Sequence, residues 1–282
     1  MNSYQHTIQP RDRFFDLRLK EIWRYRDLLL LFVRRDFVAK YKQTILGPLW
    51  FIIQPLLQAI LFSFIFGRVA GIPTDGIPRP LFYLAGITAW NYFGNCLRTT
   101  SNTFTANANL FGKVYFPRAV MPLSIVISNL IQFAFGFLLF MGYYFYYILK
   151  GADVQPNIAL FFFPLLLALM GLMGLGFGMV ISAISTKYRD FQHLVLFGVQ
   201  LAMYVTPVIY PLSFFTEKES RFIWIIKANP MTGIIETFRY SFLGAGTFDW
   251  KLLTYSAVFT VLLFIFGLLV FNRTEKNFMD TV

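Results

Sequence analysis

The chain has 282 residues, 57% of them hydrophobic and only 14% charged, with 35 Phe and 15 Tyr; an ordinary soluble domain carries about 25% charged residues, so the composition argues for a protein whose solvent is lipid. The net charge of +11 is unevenly spread, ten of the 25 Lys and Arg lying before residue 43, and a basic tail beside anionic lipid explains that placement without nucleic acid as a partner. A single cysteine, Cys96, excludes an intrachain disulfide, and His6 and His193 are too few and too far apart to suggest a metal site.

The arm over residues 11–37, RDRFFDLRLKEIWRYRDLLLLFVRRDF, sets Phe15, Leu19, Ile22 and Trp23 on one helical face. That is the pattern of a helix lying in the membrane interface. No Asp, Glu, Lys or Arg occurs between Lys42 and Arg68, and about 20 apolar residues cross the hydrocarbon core. The first span is therefore 43–67. The second begins after Arg79 and holds Arg98 near its end. The others are 119–149, 154–186, 191–216 and 252–272. The fold class predicted is an all-α polytopic membrane protein with six transmembrane helices, so both termini face one side. With the N-terminus inside, inner segments carry sixteen Lys and Arg and outer segments eight, which puts both termini in the cytoplasm.

Between the last two spans the pattern changes. FIWII at 222–226 is too short to cross, Asn229-Pro230 breaks the chain, and Ile234, Ile235, Phe238 and Phe242 then share a helical side, with Glu236 and Arg239 at i, i+3. Two short helices that dip into the outer leaflet and return, about 212–246, fit this better than an open loop. The expected organisation is a basic arm at 1–42, a six-helix domain at 43–272 and a tail at 273–282.

The spans hold almost no ionisable groups. This counts against an ion-driven carrier and against a membrane enzyme, since no carboxylate pair or Ser/His/Asp set is placed to act together. No GxxxxGK[ST] loop is present to bind ATP. Neutral polar and aromatic groups are plentiful instead: Trp50, Gln54, Gln58, Phe62 and Phe66 recur at i+4 in span one, and Phe197, Gln200, Tyr204, Pro207 and Pro211 share a side in span five. Rings that stack on sugar C–H faces, and amides that exchange hydrogen bonds with hydroxyls, suit a hydroxyl-rich polymer. Lipid-facing Phe, interfacial Trp and Tyr, and interhelical Gln would explain the same residues. The loops LFGKVYFPR (110–118) and TKYRD (186–190) mix aromatic and basic residues, as either docking surfaces or membrane anchors would.

RRDFVAKYKQTILGPLWFIIQP, at 34–55, closely resembles the start of the first span in permeases of bacterial polysaccharide ABC exporters. LFGKVYFPRAVMPLS, TPVIYP and the NP…E…R pattern at Asn229, Pro230, Glu236 and Arg239 extend the resemblance over nearly the whole chain. It is nearest to the O-antigen members, with capsule and teichoic-acid permeases as relatives. The resemblance implies two copies of this chain, two copies of a separate ATPase that binds ATP and Mg, no cofactor in this chain, a lipid-linked polysaccharide as cargo, and the bacterial cytoplasmic membrane as location. It also implies roles: Trp50, Gln54, Gln58, Phe62, Phe66, Gln200 and Tyr204 lining the conduit; Phe111, Lys113, Tyr115, Phe116 and Arg118, with Lys187, Tyr188, Arg189 and Asp190, in the cytoplasmic gate and ATPase coupling; Asn229, Pro230, Glu236 and Arg239 in the outer gate. Arg34, Arg35 and Lys40, basic and near the inner interface, would attract a pyrophosphate. An exporter of another cargo, a glycan-modifying enzyme and a structural scaffold stand as alternatives.

Overall fold

The computed structural model describes residues 23–42, 44–111, 116–188, 190–217 and 223–278. The arm residues Phe15, Leu19 and Ile22, and Lys113, Tyr115 and Arg189, lie outside them, as does the side chain of Lys40. Every regular element among the described residues is helical. The chain opens with α1 (Arg26–Tyr41), and a 3-10 turn (Gly47–Leu49) leads into α2 (Trp50–Phe62), which continues as a π-helical turn (Ser63–Val69). Then come α3 (Arg79–Ser101), the short α4 (Thr103–Ala106) and α5 (Ala108–Phe111), and α6 (Val120–Leu149). A second 3-10 turn (Ile158–Phe162) precedes α7 (Phe163–Ser185), which is followed by α8 (Phe191–Val205), α9 (Ser213–Glu217), α10 (Ile223–Ala228), α11 (Pro230–Leu243) and α12 (Trp250–Phe278).

Among the described residues, four helices are long and apolar enough to cross a membrane: Gly47–Val69, Val120–Leu149, Ile158–Ser185 and Trp250–Thr274. They match the first, third, fourth and sixth charge-free stretches to within a few residues. α3 has the length of a span but a mixed composition, and its position accounts for that. It packs against α2, α6, α7, α8 and α11, and 17 of its 23 residues are buried. A helix enclosed by protein meets few acyl chains, so Thr, Asn and Tyr cost less there than on a lipid face.

The tightest seams use glycine. A Cβ added at Gly174 of α7 would lie 2.7 Å from the Cβ of Cys96 and 2.8 Å from the carbonyl oxygen of Phe93, both on α3. On the other side of α7, a Cβ at Gly267 of α12 would lie 2.5 Å from the carbonyl oxygen of Gly176. Small residues let backbones approach where burial of apolar surface gives no net drive, as in a membrane.

The fifth charge-free stretch overruns its helix. The expected span was 191–216, yet α8 stops at Val205 and Thr206 is extended, φ −83° and ψ 146°. Pro207 is the cause: it lacks an N–H, its ring would meet the carbonyl one turn back, and it drives the residue before it out of the helical region. Residues 206–212 run on without a helical ladder and are buried, so their carbonyls need partners from elsewhere.

Candidate functional site

α2 and α8 form one wall of the bundle. On α8, Val195, Val199 and Met203 turn inward, while Phe197, Gln200, Leu201 and Tyr204 are exposed. On α2, Phe51, Pro55 and Ala59 turn inward and Trp50, Gln54, Leu57 and Ile60 are exposed. The Gln58 amide donates to the Met203 sulfur at 3.5 Å, tying the two helices. Phe62 is buried, edge-on to Phe66 (ring centroids 5.3 Å apart) and Tyr83 (6.1 Å), and Phe66 is half-buried. The uncovered face of α12 differs in kind. Val258, Val261, Leu262, Ile265 and Phe266 are exposed there; exposed groups with polar tips, among them Trp250, Thr254 and Tyr255, lie at the start of the helix, and the Tyr255 hydroxyl donates to the Ala228 carbonyl at 2.7 Å. The α12 face thus suits acyl chains, whereas the α2–α8 face presents the amides of Gln54 and Gln200.

Behind α2 the wall opens into a cavity of about 240 Å³ between α2, α3 and α6. The amides of Gln54, Gln58, Asn91, Asn95 and Gln132 line it together with Arg98 and the rings of Phe51, Tyr92 and Phe133. Asn91, Asn95 and Gln132 carry no role in the sequence reading. Their signal was available, since Asn91 and Asn95 stand one turn apart inside a span and so share a face.

At the hairpin end, Glu236 and Arg239 are each 1% exposed and meet at 3.2 Å. Arg239 also donates to the carbonyl oxygens of Val208 (2.6 Å) and Tyr210 (3.3 Å), and its guanidinium lies 3.8 Å from the centre of the Phe82 ring. It thereby supplies donors to the segment that Pro207 released from the α8 ladder. The partner carboxylate is needed because an unpaired buried guanidinium is costly. Burial raises the Glu236 carboxyl above the usual carboxylate range, against the opposing pull of the Arg239 charge and the amides of Thr247 and Leu212. Gly86 completes the fit, since a Cβ there would lie 2.7 Å from an Arg239 terminal nitrogen. Asn229 caps α11 by accepting from the Met231 N–H at 3.0 Å and donates to the Thr206 hydroxyl at 2.7 Å, with Pro230 opening the helix. The Ser256 hydroxyl on α12 donates to the Pro230 carbonyl at 2.6 Å. Asn229, Pro230, Glu236 and Arg239 thus belong to one fastening.

At the opposite end, Phe111 and Phe116 are buried in a cluster with Phe32, Phe104 and Phe271. Ring centroids run from Phe32 to Phe116 at 5.6 Å, Phe116 to Phe111 at 5.8 Å, Phe111 to Phe104 at 5.9 Å and Phe104 to Phe271 at 4.4 Å. Contacts thus pass from α1 through the 111–118 loop to α12. Arg118 covers the Phe111 ring at 5.2 Å. Lys187, Tyr188 and Asp190 form a separate exposed turn, with Lys187 over the Tyr188 ring at 5.2 Å; the adjacent Gln192 bonds Thr105 on α4 at 2.9 Å. Arg34 is exposed. Arg35 pairs with Asp36 at 2.8 Å and lies 4.9 Å from the Phe32 ring centre, so part of its charge is already engaged.

A helical membrane bundle with a polar cavity and amides on one uncovered wall fits a transport subunit. The ABC-2 type transporter family matches residues 27–243, and the chain belongs to that family. Its members of this kind are permeases, not enzymes, and work with a separate ATPase. The O-antigen export system permease protein RfbA of Klebsiella pneumoniae is 29% identical over 256 residues, 90% of this chain and 94% of that protein. RfbA of Myxococcus xanthus is 27% identical over 266 residues, 94% and 98% of the two chains. The polysialic acid transport protein KpsM of Escherichia coli is 22% identical over 258 residues, 88% and 93% of the two chains.

Proposed function

We propose that this chain is the membrane subunit that exports a lipid-linked polysaccharide of the O-antigen type across the bacterial cytoplasmic membrane. Two copies face each other across the α2–α8 wall, and the conduit runs between them past Trp50, Gln54, Gln58, Phe66, Gln200 and Tyr204. Phe62, buried within one copy, supports that wall from behind. The observation that carries this reading is the contrast between uncovered faces: Gln54 and Gln200 are exposed on α2 and α8, while the uncovered face of α12 is apolar from Val258 to Phe266. An amide facing hydrocarbon lacks a partner; one facing a watery, hydroxyl-rich passage has many.

In this reading α3 and α8 complete a set of six crossing helices, both termini face the cytoplasm, and α10 and α11 form a re-entrant outer hairpin whose Asn229, Pro230, Glu236 and Arg239 steady the outer gate. The chain divides into the arm at 1–42, the membrane domain at 43–272 and the tail at 273–282. ATP and Mg bind the two ATPase subunits, and this chain holds no cofactor. Closure of the ATPase pair is transmitted through Phe111, Lys113, Tyr115, Phe116 and Arg118 and through Lys187, Tyr188, Arg189 and Asp190. Arg34, Arg35 and Lys40 draw the pyrophosphate of the cargo to the inner surface.

The test is co-expression with the ATPase encoded beside this chain, purification through a tag on this chain alone, and measurement of hydrolysis. An equimolar complex whose hydrolysis changes with added lipid-linked glycan is the expected result. Failure of every candidate ATPase to co-purify would sink the proposal.

A further inference from the structure

We infer that the cavity between α2, α3 and α6 is a subsite for the phosphate group of a lipid-linked ligand, with Arg98 as the binding cation. The inference deepens the export reading and rests on it for the identity of the cargo.

The argument starts from a charge in an expensive place. Arg98 stands three residues before the end of α3, roughly 4.5 Å inside it along the axis, and its side chain turns into the cavity. Its guanidinium donates to the Gly94 carbonyl at 3.1 Å and to the Asn95 side-chain oxygen at 3.1 Å. Both acceptors are neutral and belong to its own helix. Among the described residues no carboxylate lines the cavity and Arg98 forms no ion pair. An ionisable group in a membrane helix normally has a counter-charge or a function. A guanidinium carries five N–H donors in a planar fork, and the group that matches this fork bidentately is a phosphate or carboxylate oxygen pair.

The rest of the lining says what the anion is attached to. Asn95 and Asn91 follow Arg98 one and two turns deeper along α3, and Gln54, Gln58 and Gln132 face them from α2 and α6. The cavity therefore grades from a cation near the helix end to neutral amides at depth. Gln58 spends its amide on a thioether sulfur at 3.5 Å, a weak acceptor, and would exchange it for a hydroxyl. A lining with one cation, several amides and no carboxylate excludes a metal cation as occupant. It suits a phosphate joined to a hydroxyl-bearing group. A volume near 240 Å³ is that of about eight waters, enough for a phosphate and part of one sugar ring.

Two sources offer this chemistry, the pyrophosphate of a polyprenyl-linked glycan and the headgroup of an anionic phospholipid. The experiment uses the complex with its ATPase in phosphatidylcholine nanodiscs and measures binding of farnesyl pyrophosphate, with farnesol as the phosphate-free control. Arg98→Ala should bind farnesyl pyrophosphate at least about tenfold more weakly, the factor carried by a lost charge-assisted hydrogen bond, and farnesol unchanged. Arg98→Lys, which keeps the charge, should recover part of the loss, and co-purification of the ATPase reports that each variant is folded. Displacement by phosphatidylglycerol would assign the subsite to headgroups as well, and no displacement would assign it to the pyrophosphate; both uphold a phosphate site. Unchanged farnesyl pyrophosphate binding in Arg98→Ala, or an equal loss of farnesol, would overturn it. Stimulation of wild-type hydrolysis by lipid-linked glycan is read in the same preparation. If that stimulation persists while Arg98→Ala binds normally, the subsite fails and the export reading stands.

Discussion

The two ends of the bundle are held by opposite kinds of chemistry. At the hairpin end the contacts are directional: Arg239 hydrogen-bonds Glu236, Val208 and Tyr210, and Asn229 joins α11 to Thr206. At the arm end they are rings: Phe32, Phe116, Phe111, Phe104 and Phe271 touch in series. Hydrogen bonds to a guanidinium weaken steeply when the geometry shifts, and the partner left behind is buried. Ring contacts tolerate tilts and offsets, because several arrangements lie close in energy. The difference teaches that the hairpin is built to keep one position relative to α8, while the rings of Phe111 and Phe116 can shift against those of α1 and α12 at lower cost. A gate that must yield to an ATPase below it needs the second kind of end.

The sharpest way to break the comparison is Arg239→Met. It leaves Glu236 buried without its counter-charge and the Val208 and Tyr210 carbonyls without donors, so the loss should be about 3–5 kcal/mol, read as a large fall in the thermal unfolding midpoint of the purified protein. Pairing it with Glu236→Leu removes the stranded charge and should restore part of the stability. Full restoration would show that the carbonyls do not need Arg239. Next in size is Asn229→Ala at the same end. It removes a helix cap and the bond to Thr206, and about 1–2 kcal/mol should be lost, with earlier hydrogen exchange at the start of α11.

How much of this was legible in the sequence follows the same division. Charge-free length reports burial in lipid, so four spans could be bounded within a few residues. It does not report helicity, which is why the fifth stretch was carried through TPVIYP although Pro207 and Pro211 stand in plain view. The Glu236–Arg239 spacing was visible, but its service to Val208 and Tyr210 was not, because those carbonyls became needy only when α8 ended early. In the sequence, conduit residues are legible only as stripes on single helices. Asn91, Asn95 and Gln132 escaped because the cavity is made where three helices meet, and a stripe on one helix says nothing about its neighbours. The arm's interfacial face at Phe15, Leu19 and Ile22 lies outside the described residues; the helix that is described, α1, begins at Arg26 and buries Leu29, Phe32 and Val33.

The arm end offers the smaller and more informative changes. Phe111→Leu keeps most of the apolar volume of a ring that packs on Phe104 and Phe116, so it should cost less than about 1.5 kcal/mol. A larger loss would mean that the rings interlock as rigidly as the hairpin does, and the contrast between the ends would fail. Arg118→Gln removes the cation over the Phe111 ring, an interaction worth about 0.5–1 kcal/mol at an exposed or half-exposed site. Stability should scarcely change, and the informative measurement is the ratio of glycan exported to ATP hydrolysed. Arg118 sits between the loop ring it covers and the start of α6, so its charge can act as a handle for a partner below while the rings repack above. A lowered ratio with hydrolysis intact places the loop in the path of force. An unchanged ratio would leave the aromatic cluster as packing alone, and the transmission would have to run through the exposed turn at Lys187 and Tyr188 instead.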